Sequence, residues 1–313
     1  MVVRRAAAID CGTNAIRLLI LDVDPGSGRA VDVVRELRIV RLGEGVDRTG
    51  EFAAAALERT FAACREYADL LAGAGHPPLR FVATSAARDA RNRAVFAEGV
   101  HDILGVTPEV IEGVEEGALS FEGATGGLPD QARPPFLVVD IGGGSTEFVL
   151  GGDVPEARIS VNIGCVRMTE RHLRSDPPTK AEIVAATADI DAAIAQAGRT
   201  VDLRAAHTLV GVAGTVTTVS GIALDLPAYD SAVIHHSWIS AEDVCRVSDE
   251  LLAADRATRA ALPVMHPGRV DVIAAGALIL RRIVEATGAA QVCVSEHDIL
   301  DGVALRVAAD EGG

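Results

Sequence analysis

One pattern occurs twice in this chain and constrains it more than any other. Residues 5–10 (RAAAID) read as an apolar strand ending in Asp10; a turn, Cys11-Gly12-Thr13-Asn14, follows, and the apolar run from Ile16 to Val23 carries the chain back. The same order returns 130 residues later: a buried-type strand, Phe136–Asp140 (FLVVD), the turn Gly142-Gly143-Gly144-Ser145, and a returning strand over Thr146–Leu150. Strand, Asp, glycine turn, hydroxyl and strand, repeated at domain spacing, read as one β-hairpin device duplicated once per domain. A length of 313 residues suits two domains of ordinary size. With 49% hydrophobic and 23% charged residues, each half can build a core.

The segments between the hairpins alternate in type. Residues 31–42 alternate as a third strand, Phe52–Leu71 has helical periodicity, Arg80–Thr84 is a short strand, and 86–104 reads as one helix. A strand over Pro108–Ile111 and a helix over Val114–Ala124 lead into the Gly- and Pro-rich stretch 125–135, the best linker candidate. Beyond the second hairpin, helices are predicted over 180–197, 240–253, 269–287 and 299–309, with strands at 207–212 and 292–295. The expected division is a first domain over 1–126 and a second over 134–298.

A glycine turn between strands presents successive backbone N–H groups to an anion, because glycine permits positive φ and close approach. Thr13 and Ser145 add neutral hydroxyl donors at the two tips. The Asp before each turn repels phosphate but can hold a cation, or a cation's waters, against it. A third segment, Gly211-Val212-Ala213-Gly214-Thr215-Val216-Thr217-Thr218, opens a helix whose free N–H groups suit an anion at Gly214 and Thr215. It reads equally as a plain strand-to-helix connection. In Thr84-Ser85-Ala86-Ala87-Arg88, the hydroxyls can cap a helix and Arg88, one turn on, can grip a phosphate or lie on a solvated helix face. Glu112, Glu115 and Glu116 have no basic residue near them in the sequence. They suit the start of a helix, or one of them orients a water for attack on a terminal phosphorus.

Composition sets limits on partners. The net charge is −15, and Lys180 is the lone Lys among 29 basic residues. That balance argues against duplex nucleic acid and anionic membranes. It does not exclude a polyanionic substrate at a site made of amides, a few arginines and a metal, and it predicts strong dependence on a divalent cation. The longest apolar run, Val272–Leu280, is nine residues, too short to cross a membrane. The apolar stretch at the N-terminus is too short for a signal peptide. Five scattered cysteines with no C-x-x-C spacing argue against a disulfide framework or a zinc site. A cytoplasmic setting is the expectation.

Seven stretches, taken in order, resemble the exopolyphosphatase/guanosine-pentaphosphate phosphohydrolase (Ppx/GppA) family of the actin, sugar-kinase and heat-shock ATPase superfamily. They are AIDCGTNAIRLLI (8–20), VATSAARDARN (82–92), IEGVEEGALSF (111–121), VVDIGGGSTEFVL (138–150), NIGCVRM (162–168), GVAGTVTT (211–218) and YDSAVIHH (229–236). The resemblance implies an α/β chain of two ribonuclease-H-like (actin-like ATPase) domains with the site in a cleft between them. It implies that Glu116 is the catalytic base and that Asp140 and Glu147 hold a divalent metal, Mg²⁺ or Mn²⁺. Asp10, Gly12, Thr13, Asn14 and Arg88 match phosphate-cleft positions, and Arg17, Gly142, Gly143, Gly144, Ser145, Thr146, Gly214 and Thr215 are the further phosphate-binding candidates. The C-terminal helix is expected to pack back on the first domain, and a homodimer is a family-level expectation. The family usually carries Arg two residues after the catalytic Glu, where this chain has Ala118; Leu300-Asp301-Gly302 stands at its common R-E-G.

The reaction implied is metal-dependent hydrolysis of the terminal phosphoanhydride of inorganic polyphosphate, with short chains favoured by the missing Arg. A free Glu titrates at about 4.3 and is ionised at neutral pH, as a base must be. The alternatives are a guanosine pentaphosphate phosphohydrolase, a catalytically weak polyphosphate- or nucleotide-binding regulator, and a small-molecule kinase.

Overall fold

The computed structural model describes residues 3–310; residues 1 and 2 of the expected first domain lie outside it. The chain divides into two compact units. One contains the chain up to Gly123 together with the segment from Ile299 onward, and the other is Ala124–Asp298.

In the first unit, β1 (Arg4–Cys11), β2 (Ala15–Val23) and β3 (Ala30–Ile39) form an antiparallel meander. After α1 (Val46–Thr49) and α2 (Ala54–Gly73), β4 (Leu79–Ala83) joins parallel to β1. After α3 (Ser85–Asp89) and α4 (Arg93–Leu104), β5 (Glu109–Val110) joins parallel to β4, giving the order β3-β2-β1-β4-β5, and α5 (Gly113–Thr125) follows. The two-residue period of the strands sorts their side chains. Ala7, Ile9, Ile16, Leu18 and Ile20 pack with Leu57, Tyr67 and Phe96 on one face. Ala6, Ala8, Leu19 and Leu21 pack with Leu119 of α5 on the other, and by the same alternation Asp10 and Arg17 fall on that second face.

The second unit repeats the plan. The antiparallel strands β6 (Phe136–Ile141), β7 (Thr146–Gly151) and β8 (Pro155–Val161) are followed by α6 (Cys165–His172) and α7 (Lys180–Ala197). Then β9 (Thr208–Val212) joins parallel to β6 and leads into α8 (Ala213–Ala223). The chain continues through α9 (Ser231–Ile234), β10 (Trp238–Ser240), α10 (Ala241–Ala253), α11 (Arg256–Ala260) and α12 (Ile273–Thr287) to β11 (Gln291–Val294), parallel to β9. The order is β10-β11-β9-β6-β7-β8. With the antiparallel edge strand β10 set aside, it reproduces the first sheet strand for strand. Each unit is therefore a ribonuclease-H-like α/β fold.

The chain returns to the first unit as α13 (Ile299–Asp310). Leu300, Val303 and Ala304 bury against Leu19, Leu21 and Leu119. A Cβ on Gly302 would stand 2.2 Å from the Leu119 carbonyl oxygen, so α13 lies on α5 because residue 302 has no side chain. Arg35 closes on Asp301 at 2.5 Å and Arg306 on Glu122 at 2.6 Å.

Several elements differ from the sequence expectation. The helix predicted over 86–104 is broken at Ala90, whose ψ of 124° is extended. Asn92 explains the break: its side chain accepts from Phe52 N at 2.8 Å and donates to Phe52 O at 3.1 Å, clamping the chain to the segment before α2. The helix predicted from 269 starts at Ile273, after a turn in which Arg269 reaches Thr218 instead. Strands β8 and β10 and the short helices α1, α6, α9 and α11 had no sequence assignment. All five cysteines are free thiols, and no helix among the described residues is long and apolar enough to cross a membrane.

Candidate active site

The two Asp-bearing hairpins close in the same way. Gly12 N donates to Ala15 O at 2.9 Å, and Gly142 N donates to Ser145 O at 3.1 Å. In each turn a later segment takes up the carbonyls. Asn14 O accepts from Val40 N and Arg41 N, and Thr13 O accepts from Gly43 N at 2.8 Å. In the second turn Gly142 O accepts from Cys165 N at 3.0 Å, Gly143 O from Val166 N at 2.9 Å, and Gly144 O from Arg167 Nε at 2.6 Å. Among the described residues, no carbonyl accepts from the N–H of Gly143 or Gly144. An anion-binding turn requires that division of labour.

The glycines of the turns serve close approach rather than positive φ. Neither Gly12 nor Gly142 is left-handed, contrary to the role the sequence suggested for them. The steric demand falls on the bracing segments. A Cβ on Gly164 would stand 2.4 Å from the backbone carbon of Gly143, and one on Gly43 would stand 2.3 Å from Thr13 Cγ2.

The hairpins differ in what faces the Asp. Asp10 pairs with Arg17 across the ladder, and Arg17 donates through Nη2 at 2.6 Å and Nε at 3.1 Å to Asp10 Oδ2. The cation that an Asp at this strand end could hold is thus a guanidinium from its own hairpin. Asp140 pairs with Glu147 at the corresponding register. These carboxylates are 6% and 1% exposed, and directly opposed strand residues share one face. Glu147 Oε1 accepts from Ser160 Oγ at 2.7 Å. Two like charges in this position disfavour the sheet unless a cation joins them. The donor set fits Mg²⁺, which takes one or two protein carboxylates and completes its octahedron with water and phosphate oxygens. Among the described residues no group of three or more His, Cys, Asp or Glu is assembled to hold a metal by itself.

The hydroxyls also divide. Thr13 Oγ1 is buried with no hydrogen-bond partner, which suits an acceptor oxygen supplied by a ligand. Ser145 is 2% exposed at the tip of its turn. Thr146, a further phosphate candidate, donates to Ile163 O at 2.6 Å and ties β7 to the bracing segment. At the start of α8, Thr215 lies against Gly276 of α12, where a Cβ would come within 2.5 Å of its Oγ1. The guanidinium of Arg269 lies 2.7 Å from where a Cβ on Gly214 would stand, donates to Thr218 Oγ1 at 3.0 Å, and sits 5.9 Å from the Tyr229 ring centre. Arg269, 51 residues on in the chain from Thr218, could not be linked to this segment by spacing.

Glu116 lies in the first turn of α5 and is 8% exposed. Its Oε2 accepts from Arg88 Nη1 at 2.8 Å, and the same nitrogen reaches Ile111 O at 2.9 Å. Arg88, expected to meet phosphate, is thus held on the candidate base. Burial pushes the Glu116 carboxyl above the ordinary Glu value. Arg88 opposes that rise, while the nearby Asp10 adds to it. Thr84 does not cap α3 with its side chain, as its sequence position suggested. Glu115 turns instead to Arg80 at 3.1 Å. The first unit therefore brings together Asp10, Arg17, Arg88 and Glu116, and the second brings together Asp140, Glu147 and the turn from Gly142 to Thr146.

A model of the Ppx/GppA phosphatase family matches residues 19–311. The chain is 51% identical to exopolyphosphatase 2 of Mycobacterium tuberculosis (strain ATCC 25618 / H37Rv), over 98% of this chain and 100% of that one. Among solved structures, an exopolyphosphatase-like protein superposes with a TM-score of 0.93 at 46% identity, covering 98% of this chain and 99% of the other. The Aquifex aeolicus member of the Ppx/GppA family superposes with a TM-score of 0.81 at 27% identity, with both chains fully covered. A guanosine-5'-triphosphate,3'-diphosphate pyrophosphatase of Pseudoalteromonas atlantica is 35% identical over 63% of this chain and 38% of its own length.

Proposed function

Because the chain belongs to the Ppx/GppA phosphatase family, we propose that it is an exopolyphosphatase, releasing the terminal phosphate of inorganic polyphosphate by attack of water on the end phosphorus. The observation that carries this reading is Glu116, a buried carboxylate raised by burial and held by Arg88, as a general base near neutrality should be. The full-length similarity to a protein named exopolyphosphatase 2 supports the substrate class.

In this reading the N–H groups of Gly143 and Gly144 and the hydroxyls of Thr13 and Ser145 hold phosphate oxygens. Asp140 and Glu147 would hold Mg²⁺, or Mn²⁺ in its place. When bound, the cation supplies neutralisation of the charge that develops on the transferred phosphoryl group. Glu116 orients the attacking water and takes its proton onto the carboxylate. Arg269 lies over Gly214 at the start of α8, and its guanidinium offers a cation to phosphate oxygens at that helix start.

Guanosine pentaphosphate is a second reading, favoured by the Pseudoalteromonas atlantica relative, since it presents the same terminal anhydride. Phosphate release measured side by side on short polyphosphate, long polyphosphate, guanosine pentaphosphate and ATP separates these readings. Short polyphosphate should be turned over fastest, given Ala118 in place of an Arg. Release from that substrate by Glu116→Gln at the wild-type rate would remove Glu116 from the mechanism.

A further inference from the structure

The two acids of the second hairpin lie in a row that runs on to a third strand. Asp140 of β6 pairs with Glu147 of β7, and Glu147 pairs in turn with Ser160 of β8. The partly buried Ser160 hydroxyl donates to Glu147 Oε1 at 2.7 Å. The equivalent row of the first hairpin is Asp10, Arg17 and Leu37. Where a guanidinium meets the Asp, the third strand carries an apolar side chain. Where a second acid stands opposite it, the third strand carries a hydrogen-bond donor. Ser160 also stands at the head of the segment that braces the second phosphate turn. A few residues on, Gly164 packs on Gly143, and Cys165 N, Val166 N and Arg167 Nε take the carbonyls of that turn. Thr146, next to Glu147, ties β7 to the same segment through Ile163 O at 2.6 Å.

From this row we propose that Ser160 is a positioning residue for the divalent cation: its hydroxyl holds one oxygen of the Glu147 carboxylate and so sets how that carboxylate meets Asp140 across the ladder. The inference rests on the reading of Asp140 and Glu147 as the pair that holds the metal. The last torsion of a Glu side chain is broad, so a carboxylate that shares a cation with an Asp needs something to set its plane. A donor to one carboxylate oxygen does this, as the hydrogen-bonded partners of metal ligands generally do. A neutral hydroxyl suits the task better than a cationic donor. A guanidinium in its place would compete with the metal for the carboxylate, and Arg17 already satisfies Asp10 in this way in the first hairpin. Because Ser160 and the braces of the turn belong to one short segment, the carboxylate and the N–H groups of Gly143 and Gly144 are set from the same stretch of backbone.

The test is Mn²⁺ binding to the full-length protein without substrate, followed by the EPR signal of the free ion, for wild type, Ser160→Ala, Ser160→Thr and Glu147→Gln. The Mg²⁺ concentration giving half-maximal phosphate release from short polyphosphate is measured beside it. Ser160→Ala should weaken Mn²⁺ binding about tenfold, the loss expected for the hydrogen-bond partner of a metal ligand, and should raise the Mg²⁺ requirement by a similar factor. Ser160→Thr keeps the hydroxyl and suits a strand, and it should restore both. In the Glu147→Gln background, Ser160→Ala should weaken Mn²⁺ binding no further. Should Ser160→Ala melt well below wild type, Ser160→Cys, similar in size with a weaker donor, is read against the same criteria. Wild-type Mn²⁺ affinity in Ser160→Ala beside weakened binding in Glu147→Gln overturns the positioning role and leaves the metal pair in place. A loss that Ser160→Thr does not rescue, or that persists undiminished in the Glu147→Gln background, also overturns it. Wild-type Mn²⁺ affinity in Glu147→Gln overturns the underlying reading instead.

Discussion

The two hairpins share a register and differ in one cross-strand partner. Asp10 faces Arg17, and Asp140 faces Glu147, each seven residues on through an equivalent turn. The turns close with the same hydrogen bond, and each is braced by a glycine from a following segment. In the first hairpin the acid is neutralised by its own strand pair. In the second, two buried acids share one face. Substitution at one ladder position thus separates a hairpin whose acid is paired by its own guanidinium from one whose two acids are suited to a metal. The same hairpin backbone accommodates either arrangement because only the opposed side chain has to change.

The comparison breaks most visibly if the second acid pair is dispensable. Glu147→Gln should lower phosphate release about a thousandfold, since charge neutralisation at the phosphoryl group is worth several kcal/mol. Steady-state assays in excess Mg²⁺ check this.

The braces give the next largest effect. Gly164→Ala drives a Cβ into the backbone of Gly143, which cannot yield without moving the turn, and should cost about a hundredfold in kcat. Gly43→Ala meets the end of the Thr13 side chain, which can swing aside, so its loss should be about tenfold or less. Equal losses in the two variants would show that the turns are not braced differently.

At the first hairpin the expected effect is on stability. Asp10→Asn removes the carboxylate from a pair whose side chains are 5% and 21% exposed. It should destabilise the protein by about 2 kcal/mol, a charge-assisted hydrogen bond discounted for the partial exposure of Arg17. Denaturant midpoints measure this.

The smallest effect concerns the base. Burial raises the Glu116 carboxyl and Arg88 opposes the rise, so activity should fall on the acid side at a pH above the ordinary Glu range. Arg88→Gln removes the opposing charge and should carry that inflection about one unit further up. A shift downward would contradict the pairing.

Much of this was legible in the sequence. The repeat at Asp10 and Asp140, with its fixed strand, turn and hydroxyl order, announced two similar α/β units, and the observed sheets have that topology. What the reading lacked was partnership. Glu116 had no basic neighbour in the sequence because Arg88 lies 28 residues away and meets it only when α3 and α5 pack. Arg269 reaches Thr218 across 51 residues for the same reason. Gly43 and Gly164 do no work in their own segments; their value appears only where another backbone or side chain approaches. Strand β8 begins at Pro155, and its half-exposed alternation gives a weaker signal than the buried runs of β6 and β7. The contrast between Arg17 and Glu147 was readable in principle, since equal hairpins place position seven opposite the Asp. It gained meaning only with the register on hand.

We propose that the second hairpin, not the first, provides the metal site. The most direct measurement is the Mg²⁺ concentration giving half-maximal phosphate release from short polyphosphate, compared between Glu147→Gln and Arg17→Gln. The account predicts that the concentration rises at least about tenfold in Glu147→Gln, and that in Arg17→Gln it stays at the wild-type value even where the overall rate drops. A wild-type Mg²⁺ requirement in Glu147→Gln, with a raised one in Arg17→Gln, would contradict it.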